Sequence, residues 1–220
     1  MQFATRVRLA AWLAALVASA GSGCALGEGS GEVVSDRLRV DSCWDGTYDL
    51  NPDFFAGVPY RDAFQIRIQR GGDLQEMSDG LSILIDDVHW VRGDDGRPSL
   101  LGVPLEVGLP PEVTPPGVPV QSDADPPLVH MALYLHNTCH EQLSTLYAVR
   151  GVITFERLFN GDPNESNADE RLSSGVFDVV VVDPRKQPPG GGPIAEEHLS
   201  HVTGWFRFYF ERGQPGQPFP

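Results

Sequence analysis

Two histidines and a cysteine fall within five residues, His136-Asn137-Thr138-Cys139-His140. Imidazole and thiolate at that density are the ligands of transition metals, yet the same cysteine is also half of any disulfide the chain forms. The run His140-Glu141-Gln142-Leu143-Ser144 misses the zinc-protease pattern, because Ser144 stands where a second histidine is needed and the region reads as strand. No His-x-His pair occurs on any strand. His130 and His136 share a strand face, but six residues of extended chain hold them roughly 20 Å apart. His198 and His201 lie beside a glycine-rich loop and could join His136 or His140 only through tertiary folding. With no complete ligand set, the expectation is no metal and no cofactor.

The carboxylates form a second group. Asp86 and Asp87 are adjacent, and on a strand neighbours point to opposite faces, so they cannot share a proton. Leu81, Ile83 and Ile85 set the apolar phase on odd positions, while Val88 and Trp90 set it on even ones, which predicts a bulge or tight bend at Asp86-Asp87. In the acidic segment 160–170, Asp162, Asn164 and Ser166 copy the start of a calcium loop, but Asn167 and Ser173 replace the glycine and glutamate the loop requires. Arg92-Gly93-Asp94-Asp95 reads as turn chemistry. No nucleophile elbow, phosphate loop or dinucleotide fingerprint is present. An enzymatic reading therefore rests on Asp87, His89 and Glu156, as a secreted hydrolase on a jelly-roll scaffold.

The elements that must position these groups are strands. Phe64, Ile66 and Ile68 alternate with Gln65, Arg67 and Gln69; Val129, Met131, Leu133 and Leu135 alternate with His130, Ala132, Tyr134 and His136; Phe206, Phe208 and Phe210 alternate with Trp205, Arg207 and Tyr209. Similar runs begin at Leu38, Leu81, Val103, Ser144, Val152 and Gly175. About nine strands separated by Gly, Pro, Asn and Asp turns predict an all-β domain, a single sandwich of jelly-roll type, with no amphipathic helix. Seven prolines at 109–127 make a long loop instead of a ladder strand. A second loop spans 186–199, and residues 213–220 form an extended tail.

The N-terminus carries an address. Arg6 and Arg8 precede an apolar run from Leu9 to Ala20, twelve residues long, too short to span a bilayer and suited to a secretory signal. Ala18-Ser19-Ala20 offers a signal-peptidase site before Gly21. Gly21-Ser22-Gly23-Cys24 resembles a bacterial lipobox, with Gly21 where leucine is usual. That resemblance implies cleavage after residue 23 and lipid on Cys24, and Ala25 implies the outer membrane. Residues 24–36 then read as a small, polar tether. The lipobox-like start, the preference for arginine over lysine and the Pro/Gly-rich loops resemble uncharacterised exported lipoproteins of myxobacterial type. With Cys24 lipidated, Cys43 and Cys139 remain as the one pair for a disulfide in an oxidising compartment. Cleavage before Gly21 stands as the alternative and gives a secreted soluble protein.

Beyond residue 23 there are 14 basic against 30 acidic side chains, a net charge of −16, and Lys186 is the single lysine. Nucleic acid is excluded as a partner, because binding it rests on phosphate neutralisation. Contact with anionic lipid must come through acyl chains rather than charge. The domain, residues 37–220, is expected to act as an envelope binding or structural module rather than an enzyme. Its loops 109–127 and 186–199 are expected to meet an envelope protein or glycan.

Overall fold

The computed structural model describes residues 29–71, 78–94, 96–110, 129–142, 144–186, 188 and 192–211. The signal segment, both cleavage sites, Cys24, the tail 213–220 and all but residues 109 and 110 of the Pro-rich loop 109–127 lie outside the described residues. The strands are β1 (Gly29–Val40), β2 (Trp44–Asp49), β3 (Phe54–Tyr60), β4 (Ala63–Gln69), β5 (Asp79–Ile85), β6 (Leu105–Glu106), β7 (Val129–Leu135), β8 (Ser144–Arg157), β9 (Leu172–Val182) and β10 (Ser200–Tyr209). They make one ten-stranded sheet in the order β2-β1-β10-β9-β8-β7-β5-β4-β3, with β6 on β8. Every strand pair is antiparallel.

The sheet curls back on itself as a sandwich, which is the predicted fold class. Phe55 on edge strand β3 stacks on Phe208 of β10 with ring centroids 6.2 Å apart, although five strands lie between them in sheet order. Phe159 bridges the same gap, 5.1 Å from Phe64 of β4 and 4.3 Å from Phe210. Gly29 allows the closure, since a Cβ there would stand 2.4 Å from the Phe55 ring. The predicted alternation holds on the inner face: Phe64, Ile66, Ile68, Leu133, Phe206 and Phe208 are essentially inaccessible. On β4 and β7 the other face is covered too. Gln65, Gln69, His130 and Tyr134 are buried. Gln65 donates to Ser82 Oγ at 2.8 Å, and Tyr134 donates to Gln69 Oε1 at 3.0 Å. Buried polar side chains are tolerated where they are paired in this way.

Four sequence expectations need correction. The tether read at 24–36 ends by Gly29, where β1 begins: Gly29–Val34 pair in register with Phe208–Thr203. Ladder bonds are main-chain, so small polar residues do not prevent a strand where β10 offers a partner along the whole segment. The runs at Ser144 and Val152 are one strand, β8, whose register shifts between Ala148/Arg150 and Phe155/Arg157 absorb the change of phase. Residues 44–49 and 54–60 are strands without clear alternation, and ten strands result where about nine were expected. Finally, the phase flip at Asp86-Asp87 opens a helix, α1 (Val88–Arg92). Asp87 Oδ1 accepts from Trp90 N at 2.8 Å as N-cap, and Gly93 closes the helix at φ 78°. Five residues are too few for helical periodicity to show.

Candidate functional site

The run that opened the question, 136–140, is a turn built around a buried carboxylate. Asp79, 1% exposed, accepts from the backbone N–H groups of Asn137 and Thr138, each at 2.9 Å, and from Thr138 Oγ1. Cys139 N donates to Leu135 O at 2.7 Å, which turns its side chain toward the β1–β2 turn. There Cys139 and Cys43 are joined as a disulfide, Cα atoms 5.8 Å apart, within the range such a bond requires. His136 packs on Tyr134, ring centroids 5.4 Å apart, and burial pulls its pKa below the usual imidazole value. Among the described residues no group of three His, Cys, Asp or Glu side chains is placed to hold a metal.

The residues proposed for catalysis do not converge. Asp87 is spent as the cap of α1. His89 Nδ1 pairs with Asp94 at 3.1 Å. Glu156 accepts from Ser174 Oγ at 3.4 Å, on neighbouring strands β8 and β9. No hydrogen bond or ion pair among the described residues joins any two of Asp87, His89 and Glu156. Asp86 faces His130 Nε2 at 3.4 Å, while His130 Nδ1 lies 2.9 Å from Gly108 O. Arg92 bolts α1 to the β8–β9 connection through Leu158 O and through Glu170 at 2.7 Å, and pairs with Asp94 just beyond the helix at 3.0 Å.

The calcium-like loop uses its oxygens on itself. Asn160, Asp162, Glu165 and Asn167 each accept from a backbone N–H two residues onward, at 2.9, 2.8, 2.6 and 3.1 Å. That is turn chemistry. His201 meets Asp178 at 2.6 Å on the exposed sheet face, away from His136.

One concavity gathers chemistry. A groove of about 630 Å³ is lined by Arg37, Arg39, Val40, Asp41, Ser42, Cys43, Trp44, Asp45, Glu197 and His198. Its walls follow from the chain. A register shift between Ser35 and Leu38 puts a bulge in β1 at Asp36-Arg37. Leu38 and Val40 turn into the core, which leaves Arg37 and Arg39 outward. The turn 41–43, with Ser42 at φ 61° and Cys43 N donating to Val40 O at 3.0 Å, presents Trp44 at the start of β2. The opposite wall is the short turn Glu196–His198 of loop 186–199, held where Arg39 N donates to Ser200 Oγ at 2.9 Å.

The rim is electrostatically organised. Arg37 grips Asp45 as a two-pronged fork, Nε–Oδ1 2.7 Å and Nη2–Oδ2 2.8 Å. These hydrogen bonds hold the Asp45 carboxyl below its usual range. Lys186 does the same for Asp41. Trp44, 38% exposed, stands edge-on to Tyr48 at 6.3 Å.

Compared with known proteins, the chain matches no family model, no curated protein and no solved structure.

Only two groove residues come from a segment singled out in the sequence as a contact surface, Glu197 and His198 of loop 186–199. Arg37, Arg39 and Trp44 are missed by motif reading. The available signal is the Arg-x-Arg spacing in Arg37-Leu38-Arg39-Val40, which puts two cations on one face of a strand otherwise poor in basic residues. A second exposed aromatic, Trp205, lies on the outer sheet face with Val176 directly opposite on β9, 40% and 48% exposed.

Proposed function

We propose that this protein is an exported lipoprotein, anchored in the outer membrane through Cys24, whose β-sandwich serves the envelope as a binding module. The observation that carries the binding reading is the groove between the β1–β2 turn and loop 186–199. It combines a partly exposed indole, two outward arginines and the residues of a loop on a rigid sheet. Sites of recognition are commonly concave, with an aromatic wall and a few fixed polar groups. The residues 1–24 support the anchor by their resemblance to a lipobox leader, and the Cys43–Cys139 disulfide supports an oxidising compartment. The hydrolase reading draws no support, since Asp87, His89 and Glu156 are each engaged elsewhere.

Two measurements test this. Labelled palmitate should enter the protein and be lost in Cys24→Ala, which should also move the protein from the detergent phase to the soluble fraction. A native N-terminus at Gly21 would refute the anchor. Titration of the detergent-solubilised protein with fractionated envelope glycans should change tryptophan fluorescence in the native chain and not in Trp44→Phe. Binding that survives both Trp44→Phe and Arg39→Gln would refute the groove.

A further inference from the structure

We propose that the groove recognises an acidic saccharide, its carboxylate on Arg39 and its ring on Trp44; this rests on the groove being the binding site. The charges in the groove are not equivalent. Arg37 is committed to Asp45 through both prongs, and Lys186 is committed to Asp41. Those pairs cancel. Arg39 is different. Its side chain is only 26% exposed, and its closest carboxylate oxygen, on the already satisfied Asp45, lies 3.9 Å away. No hydrogen bond to its guanidinium exists among the described residues. A partly desolvated guanidinium with an unused fork of donors is a site for a planar anion.

The rest of the lining narrows the ligand. Glu197 is exposed on the opposite wall with no hydrogen-bond partner among the described residues. A simple dianion or a phosphate cluster would meet repulsion from it. A ligand that carries hydroxyl donors for Glu197 and one carboxylate for Arg39 suits both. Trp44 adds a flat apolar surface of the kind on which the C–H face of a pyranose ring stacks. His198, within electrostatic reach of Asp41, lies beside Glu197 on the same turn. Carboxylate, hydroxyls and an apolar ring face occur together in a uronic acid. A neutral sugar leaves Arg39 unanswered, and an acidic peptide leaves Glu197 facing like charge.

The test uses the full-length protein in detergent with three probes: a methyl galacturonide, which carries a single carboxylate, its methyl ester, and an acidic hexapeptide. Binding is read by calorimetry and by tryptophan fluorescence. The acid is expected to bind, the methyl ester at least about tenfold more weakly, and added salt to weaken the acid alone, as for a charge-assisted contact. Arg39→Gln should abolish the difference between acid and ester, Arg39→Lys should restore part of it, and melting temperatures should match the native protein within about 2 °C. Equal affinity for acid and ester, or an acid affinity unchanged in Arg39→Gln, overturns the proposal. Binding of the ester that depends on Trp44 but not Arg39 overturns the acidic ligand while leaving the groove as the site. Binding of the peptide alone overturns the saccharide. If none of the probes binds, the proposal also falls.

Discussion

Replacing Cys43 and Cys139 together by alanine opens the longest covalent loop in the domain. The two residues are 96 apart in sequence, so the bond closes everything from β2 through β7, six of the ten strands, in the unfolded chain as well as the folded one. In the chain-entropy treatment, a closure of this length is worth roughly 4.7 kcal/mol at 25 °C. For a domain of this size each kcal/mol moves the melting temperature by about 2–4 °C, so the double variant should melt about 10–20 °C lower. The contacts around the bond do not replace it: Gln142 donates to Asp41 O at 3.0 Å, but one exposed hydrogen bond is worth about 1 kcal/mol at most. The assay is differential scanning fluorimetry of the double variant, and of native protein with and without reductant. Reductant should lower the melting temperature of the native protein toward that of the variant and leave the variant unchanged. It should also raise the emission of Trp44, next in sequence to Cys43, because disulfides quench indole. A loss below about 3 °C, or uptake of alkylating reagent by both cysteines before reduction, would refute the reasoning.

Other consequences concern buried polar groups and close approaches. Asp79→Ala strands two backbone N–H groups and a hydroxyl in the turn 137–138 and should cost about 3 kcal/mol by urea denaturation, with Asp79→Asn recovering part of it. Gly80→Ala places a Cβ 2.2 Å from the Tyr134 hydroxyl and 2.8 Å from Gln69 Cβ and should cost about 1–3 kcal/mol in the same measurement. Burial first, and the Asp79 carboxylate after it, hold the Tyr48 phenol well above its ordinary value. Its neutral form therefore stabilises the fold below the unfolded value of about 10, and that contribution is lost as pH rises beyond it. The Tyr48 hydroxyl has no hydrogen-bond partner among the described residues. Tyr48→Phe should thus leave stability at pH 7 within about 1 kcal/mol of native and flatten the alkaline limb of a stability–pH curve. An unchanged alkaline limb would sink that account.

Much of the fold was legible because burial writes a period of two into any strand with one solvated face. The run beginning at Phe206 shows it; those beginning at Phe64 and Val129 keep the same alternation although both faces are covered, because the outer face is built of paired polar groups. Where other constraints dominate, the pattern fades. Residues 54–60 contain no charge and no alternation, since β3 is an edge that closes against Gly29 through Phe55. Residues 88–92 carry helical signals only at their ends, in Asp87 and Gly93. Residues 29–34 look like linker because glycine there makes room for an aromatic ring from a strand that follows in sequence but closes over it in space.

The candidate chemistry divides in the same way. Sequence by itself determined the all-β class, the strand faces and the strong negative charge, because composition and short-range periodicity record burial directly. It could also show that no local motif is complete. Only the tertiary structure decided that Asp79, from a strand more than fifty residues earlier, folds 136–140 into a hydrogen-bonded turn, and that Asp87 and Glu156 are spent on a cap and a strand contact. It alone brought loop 186–199 against the β1–β2 turn to make a groove. The groove forms because β1 pairs with β10, the strand that follows loop 186–199, so that Arg39 meets Ser200 across 161 positions of sequence, a neighbourhood no spacing along the chain records.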